Sequence, residues 1–201
     1  MRSLAEAVPS RYSGLITMAA GTGLRQGEAF GLTLDRVDFL RRTLTVDRQL
    51  VLLARQEPRH GPPKTRASYR VVPLPQVVLE ALAEHVREFP VTDNGLLFRT
   101  EAGAPLNRTR FSASVWRPAV KRAGLDGVTF HDLRHYYASL LIRHGESVKV
   151  VQARLGHATA SETLDTYSHL WPDSEDRTRE AIDAVLGAPA DSLRTDRAVE
   201  P

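Results

Sequence analysis

The chain has 201 residues, 42% of them apolar and 25% charged, with a formal net charge of +3 and an isoelectric point of about 9.5; this is the balance of an ordinary globular protein with enough chain for one good-sized core. The lack of cysteine excludes disulfides, thiolate nucleophiles and cysteine-ligated zinc, and is consistent with a cytosolic protein. No apolar run approaches the roughly 18 residues of a membrane span, the stretch Gly14 to Ala20 has no convincing signal-peptide cleavage site, and no period of about 20–50 residues marks a repeat protein.

In chain order, Pro9 opens a helix running to Ala20, with Leu15, Ile16, Met18 and Ala19 on its apolar face, and Gly21-Thr22-Gly23 breaks it. A short helix follows from Arg25 to Phe30, ended by Gly31. Alternating residues predict strands at Val37-Asp38-Phe39 and Thr43 to Asp47; Gln49 to Ala54 continues as an apolar run. Glu57 to Pro63 is a loop dense in breakers, and Tyr69 to Val72 is a return strand, so that Lys64 lies near a hairpin. Pro75 to Phe89 is an amphipathic helix burying Val78, Leu79, Leu82, Ala83, Val86 and Phe89. Leu96-Leu97-Phe98 is a short apolar segment.

Asn107 caps a helix reaching about Ala123, with Pro118 as a kink point. Thr129 stands at the N-cap position of a helix from Phe130 to about His144, stopped by Gly145. Ser147 caps Val148 to Leu155, and Gly156 closes that helix just before His157. A further helix runs from about Ser161 to His169, and Ser174 to Leu186 forms a last amphipathic helix. From Gly187 onward the sequence is polar, without a core pattern, and is expected to be mobile. The class is α+β, mainly α-helical with a small three-stranded antiparallel sheet, and no linker divides it.

Chemistry-bearing residues recur at the ends of these elements. His131 and Arg134 are three residues apart and share a helix face. A planar fork of donors beside an imidazole suits a phosphate, although such a pair is also a common surface or capping arrangement. Arg25 sits at a glycine-rich turn opening into a helix, where backbone amides and a guanidinium converge on an anion; the alternative is an arginine capping a loop carbonyl. Lys64 is equally readable as a solvated charge, His157 as a C-terminal cap, and Tyr167 as a half-buried aromatic. His135, Tyr136, Tyr137 and His144 read as structural or surface residues, and His169 stays unassigned. His131 and His157 are not a zinc pair, since no third ligand lies at metal spacing and the arginines would repel a cation. The basic residues are arginine except for Lys64, Lys121 and Lys149.

Taken together and in order, these segments resemble the tyrosine recombinases, the phage-integrase family. Thr22-Gly23-Leu24-Arg25-Gln26-Gly27-Glu28 resembles the first arginine box and His131-Asp132-Leu133-Arg134-His135 the second. Leu155-Gly156-His157 and Thr166-Tyr167 resemble the third box and the nucleophile segment. Pro63-Lys64-Thr65-Arg66, followed by Val72-Pro73-Leu74, is similar to the lysine hairpin. The likeness covers about residues 8 to 170 and implies the DNA breaking-rejoining catalytic fold.

The resemblance also implies roles. Tyr167 would attack a DNA phosphodiester, forming a 3′-phosphotyrosyl bond and releasing a 5′-hydroxyl. Arg25 and Arg134 would clamp the non-bridging oxygens, Lys64 would protonate the leaving oxygen, His131 would take or share the tyrosine proton, and His157 would donate to the phosphate. Glu28 would orient a basic side chain of the site. Arg66 would contact DNA beside Lys64, or stand in for it as the acid. A phenol of pKa about 10 needs a base or a strong positive field at neutral pH, and two arginines with two histidines supply both. No metal or other cofactor is required. The implied function is that of a site-specific recombinase or integrase domain, with a non-catalytic DNA-binding remnant as the alternative and a type IB topoisomerase-like relaxing enzyme as a third reading.

The expected organisation is a catalytic domain over 1–188, a flexible tail over 189–201, and no counterpart of the family's amino-terminal core-binding domain. The expected partner is double-stranded DNA, bound by four copies of the chain that are monomeric when free, with no membrane partner. The expected location is the cytoplasm, at the nucleoid. Affinity for a duplex should be low and salt-sensitive if half of the clamp is missing, and the last helix is expected to dock on a neighbouring copy.

Overall fold

Helix α2 (Ser10–Thr22) is the centre about which the first part of the chain is arranged. It packs against α1 (Arg2–Ala7), α4 (Gln76–Glu88) and α7 (Asp132–Arg143), and buries Leu15, Ile16, Met18 and Ala19. The computed structural model describes residues 1–51, 58–92, 95–171 and 175–187. Two compact units are formed, Met1–Leu170 and Trp171–Pro201; the described part of the second is Trp171, α10 (Glu175–Leu186) and Gly187. The expected tail over 189–201 lies outside the described residues. Among the described residues, no helix is long and apolar enough to cross a membrane.

Helix α2 runs two residues past the Ala20 end expected from its glycines, because Gly23, not Gly21, takes the left-handed conformation (φ 64°) that turns the chain. Helix α3 (Gln26–Phe30) follows. Strands β1 (Val37–Asp38), β2 (Thr43–Val46) and β5 (Arg70–Pro73) form the expected three-stranded antiparallel sheet in the order β1-β2-β5, with Leu44 opposite Val72 and Val46 opposite Arg70. On β5 the side chains of Arg70 and Val72 share the inward face, since alternate residues point the same way.

The breaker-rich loop holds a strand that the sequence does not announce. Strand β4 (Arg59–Gly61) pairs with β3 (Gln49–Val51) as a separate two-stranded sheet. His60 also bonds through Nε2 to the carbonyl of Gly31, 3.0 Å away, tying this ribbon to the end of α3. The continuation of the apolar run over 52–54 lies outside the described residues.

The helix capped by Asn107, whose side chain accepts from the Arg110 N–H, is not continuous. It consists of α5 (Arg108–Phe111), a π segment (Ser112–Trp116) and α6 (Arg117–Arg122). The N–H of Arg117 reaches back to the Ser112 carbonyl, and Pro118 beside it has no N–H to offer, so the proline is accommodated by a wider turn. Thr129 lies at the entry of α7, but its hydroxyl does not cap the helix: hydroxyl and N–H both donate to the Asp132 carboxylate, at 2.7 Å each. Ser147 caps α8 (Val148–Leu155) as expected, and Gly156 (φ 66°) ends it. Thr159 caps α9 (Ala160–Tyr167), which passes into a 3-10 turn, Ser168–Leu170.

An aromatic cluster sets the spacing of these parts. Phe30 at the end of α3 meets Phe111 and Phe130 edge-on at 5.1 and 5.7 Å, and Trp116 packs on Phe130 at 5.2 Å. Phe130 immediately precedes His131, so this contact fixes the start of α7 relative to α3. Such pairs contribute about 0.5–1.5 kcal/mol each beyond burial.

Candidate active site

Arg25 is the N-cap residue of α3, and the fold holds it from three sides. Its Nη1 donates to Glu28 Oε1 at 3.2 Å and Ser68 Oγ at 3.1 Å; its Nη2 donates to the Gly156 carbonyl at 3.2 Å. Its own N–H is accepted by Glu28 Oε2 at 2.9 Å. Glu28 thus orients Arg25 through both side chain and main chain. Arg134, on the inner face of α7, is buried. It donates from Nη1 to the Gly23 carbonyl at 2.8 Å and from Nη2 to the Leu155 carbonyl at 2.7 Å. Arg134 is therefore seated on carbonyls of two turns, Gly23 after α2 and Leu155 at the end of α8, and Arg25 shares the second of them through Gly156.

Arg70 joins this cluster although the sequence reading did not single it out. Its Nη2 donates to Glu28 Oε2 at 2.7 Å, and Nη1 donates to Glu28 Oε1 at 3.2 Å and to the Ser68 carbonyl at 2.9 Å. Its Nε donates to the Arg154 carbonyl at 2.9 Å. Burial acts to raise the Glu28 carboxyl, but the hydrogen bonds and charge of Arg70, and then of Arg25, outweigh it and hold the group below the usual carboxylate range. Burial, reinforced by Arg25 and Arg70, brings Arg134 down to about 10, so it stays a cation at neutral pH.

His157 follows Gly156, and its N–H bonds back to the Gln152 carbonyl at 3.1 Å, the closure expected after a left-handed C-terminal glycine. Its ring is fixed by Nδ1 against the hydroxyl of buried Thr163 on α9, 2.9 Å away, while Nε2 lies 3.7 Å from Glu162 Oε1. Burial first, then the charge of Arg134, lowers its pKa to about 4, which makes the ring neutral at pH 7. In the tautomer whose Nδ1 accepts from Thr163, the ring proton is on Nε2, on the side of Glu162.

Tyr167 ends α9 and is buried. Its hydroxyl lies 2.7 Å from Nδ1 of His135, with the two rings edge-to-face at 5.6 Å. Burial raises the phenol pKa, and the charge of Arg134 acts against that rise. His135 was expected to be structural or surface, and His131 was the residue expected at the phenol. Instead the exposed His131 sits at the start of α7 with its ring edge-on to His135 at 4.8 Å. Desolvation, then His135 and Arg134, lower its pKa.

The fold thus gathers Arg25, Glu28, Arg134 and His157, and brings Tyr167 within electrostatic reach of Arg134. Lys64 and Arg66 are exposed on the segment between β4 and β5; the side chains from this segment that reach the cluster are Ser68 and Thr65, whose hydroxyls bond at 2.9 Å. Arg70 and His135 are the members that sequence reasoning missed. Both carried a signal: Arg70 shares the inward register of a strand with Val72, and His135 is four residues from His131 on the same helix face. Beside His131 opens a groove of about 830 Å³ lined by Arg108, Arg117 and Lys121, with one carboxylate, Asp126.

Comparison with known proteins identifies the family. The family model of the phage integrases matches residues 1–173. The chain is 31% identical over 196 residues to a tyrosine recombinase XerC-like protein of Caldanaerobacter subterraneus subsp. tengcongensis, covering 88% of this chain and 50% of that protein. It is 32% identical over 176 residues to the tyrosine recombinase XerD of Corynebacterium glutamicum, covering 85% and 52%. The chain therefore spans about half the length of the curated relatives it matches. Among solved structures, the catalytic domain of bacteriophage HP1 integrase is similar with a TM-score of 0.60 at 25% identity, over 94% of this chain and 93% of that one. The Tn1549 transposon integrase, solved in complex with circular intermediate DNA, has the same fold with a TM-score of 0.73 at 24% identity, over 86% of this chain and 59% of that one. With fold, clustered arginines and sequence match in agreement over most of its length, the chain belongs to the phage integrase family.

Proposed function

We propose that this chain carries the strand-cleaving and rejoining centre of a site-specific DNA recombinase. The observation that supports it most directly is the convergence of Arg25, Arg134 and His157, three phosphate-binding side chains from separate parts of the sequence, beside the buried phenol of Tyr167. Arg25 and Arg134 neutralise the non-bridging oxygens, and the Nε2–H of His157 adds a donor. Preorganised donors of this kind are worth roughly 100- to 1000-fold each on a step that gathers negative charge. Tyr167 attacks phosphorus, the Oη–P bond forms and the bond to the 5′-oxygen breaks. Exposed Lys64 protonates that oxygen, with Arg66 on the DNA beside it. The phosphotyrosyl ester keeps the energy of the broken bond, so rejoining requires only that a 5′-hydroxyl return.

The basic groove beside His131 supports double-stranded DNA as the partner, since arginine and lysine along one wall match a phosphate backbone. On this reading residues 1–188 act as the catalytic domain, the protein works at the nucleoid, and four copies assemble on paired sites, with α10 as the docking element between copies.

The test is covalent capture on a library of nicked duplexes with a randomised core. The expected result is a protein–DNA adduct at the 3′-phosphate that disappears in Tyr167→Phe while duplex binding persists. Binding without any adduct would overturn the reading in favour of a DNA-binding remnant, and relaxation of supercoiled plasmid regardless of sequence would favour the topoisomerase-like one.

A further inference from the structure

We propose that His135 is the residue that accepts the phenol proton of Tyr167 when the tyrosine attacks DNA, leaving His131 to the phosphate side of the site. The inference rests on the strand-cleavage reading above and assigns one of its steps.

The geometry that carries it is direct. A nucleophile's base must lie within hydrogen-bond reach of the proton it removes, about 2.6–3.2 Å, and His135 Nδ1 lies 2.7 Å from the Tyr167 hydroxyl. The phenol is buried and the His135 ring is half-buried against it, so solvent is a poor competitor for the proton. An imidazole whose Nδ1 accepts from the hydroxyl carries its own proton on Nε2.

His131 occupies a different place. Its ring meets His135 edge-on rather than the phenol, and it is exposed at the start of α7, on the wall of the basic groove. Among the described residues, the titratable and charged groups that act on the pair are His131 at the N-cap of α7, Asp132 and Arg134 on α7, and Tyr167 itself on α9. Of these, the cation Arg134 favours the phenolate as it forms.

The step balances as a proton transfer coupled to displacement. The O–H bond of Tyr167 breaks and its proton moves to His135 Nδ1, giving an imidazolium. The Oη lone pair forms the bond to phosphorus. The P–O5′ bond breaks with its electron pair on oxygen, which takes a proton from Lys64. Rejoining runs the same transfers in reverse, with His135 returning its proton to the phenolate oxygen as that group leaves phosphorus. An imidazolium so placed is an acid for the return step, so one residue serves both directions.

The experiment measures the rate of adduct formation on a nicked duplex captured by the wild-type protein, for wild type, His135→Ala and His135→Asn, with duplex affinity measured in parallel. Removal of a general base is expected to slow the adduct step about 100-fold or more, with affinity within about twofold of wild type. His135→Asn keeps a polar acceptor beside the phenol and tolerates the same packing, and it is expected to be as slow, because an amide does not take a proton. Added imidazole is expected to restore part of the rate in His135→Ala, in proportion to the free base, and not in Tyr167→Phe. Wild-type rate in His135→Ala, or recovery in His135→Asn without imidazole, would overturn the assignment while the strand-cleavage reading stands. No adduct from wild type would sink both.

Discussion

Glu28 and Arg70 form a two-pronged ion pair, Nη2 to Oε2 at 2.7 Å and Nη1 to Oε1 at 3.2 Å, with their side chains only 2% and 5% exposed. Arg25 leans on the same carboxylate, so one buried anion orients two guanidiniums. Removing one member of a buried pair leaves the other uncompensated, at a cost of about 3–5 kcal/mol. Arg70→Met and Glu28→Gln are each expected to lower the unfolding free energy, measured by denaturant titration, by an amount in that range. The double variant should lose less than the sum of the two. Additive losses would show that the pair is not a unit.

The same carboxylate gives an acid limb to stability. Its folded pKa lies below the ordinary value of 4.5, so its contribution is fully present above that pH and is lost as pH falls through the lower, folded value. Unfolding free energy measured against pH should fall there more steeply in wild type than in Glu28→Gln.

His157 acts over a higher window. Its folded pKa is about 4 against an ordinary 6.5, so between those values the unfolded chain binds a proton that the folded chain refuses. Stability is expected to be whole above pH 6.5 and to decline as pH falls toward 4. His157→Gln should flatten that decline, which a series of thermal melts from pH 7 to about 4 would show.

Thr163 holds His157 in place from inside the protein, with no exposure of its own. Thr163→Val keeps the shape and removes the hydroxyl that bonds Nδ1. A loss of about 1 kcal/mol of stability is expected. If the bond also fixes the donor tautomer, adduct formation should slow while duplex affinity holds, read by single-turnover kinetics beside fluorescence anisotropy.

The groove beside His131 predicts a salt signature. Arg108→Ala, Arg117→Ala and Lys121→Ala are each expected to weaken binding to any duplex and to reduce the slope of log affinity against log salt by about 1. Titrations at several salt concentrations check this, and an unchanged slope would place the DNA elsewhere.

Much of this arrangement was legible in the residues, for reasons that differ by element. Helices α4 and α8 announced themselves through apolar spacing and through the Ser147 cap with the Gly156 stop, which are local signals. The first and second arginine boxes were legible because turn glycines and helix starts flank them. Strand β4 was not, since Arg59, His60 and Gly61 do not alternate; its pairing with β3 and the bond from His60 to Gly31 decide it. Arg70 and Glu28 are separated by 42 residues, and His135 and Tyr167 by 32. Arg70 and His135 looked ordinary until their distant partners, Glu28 and Tyr167, were in place.

The carbonyls that seat Arg134 and Arg25 belong to Gly23 and to Leu155-Gly156, which are the carboxyl ends of two helices. Aligned peptide groups make such ends partly negative, equivalent to about half an electron each. Two like charges packed this closely would ordinarily push apart, and here the paired helix termini offset that repulsion at fixed positions. The cationic cradle is thus assembled by the backbone, so anion affinity should track the integrity of these two turns even for variants that leave every basic side chain intact.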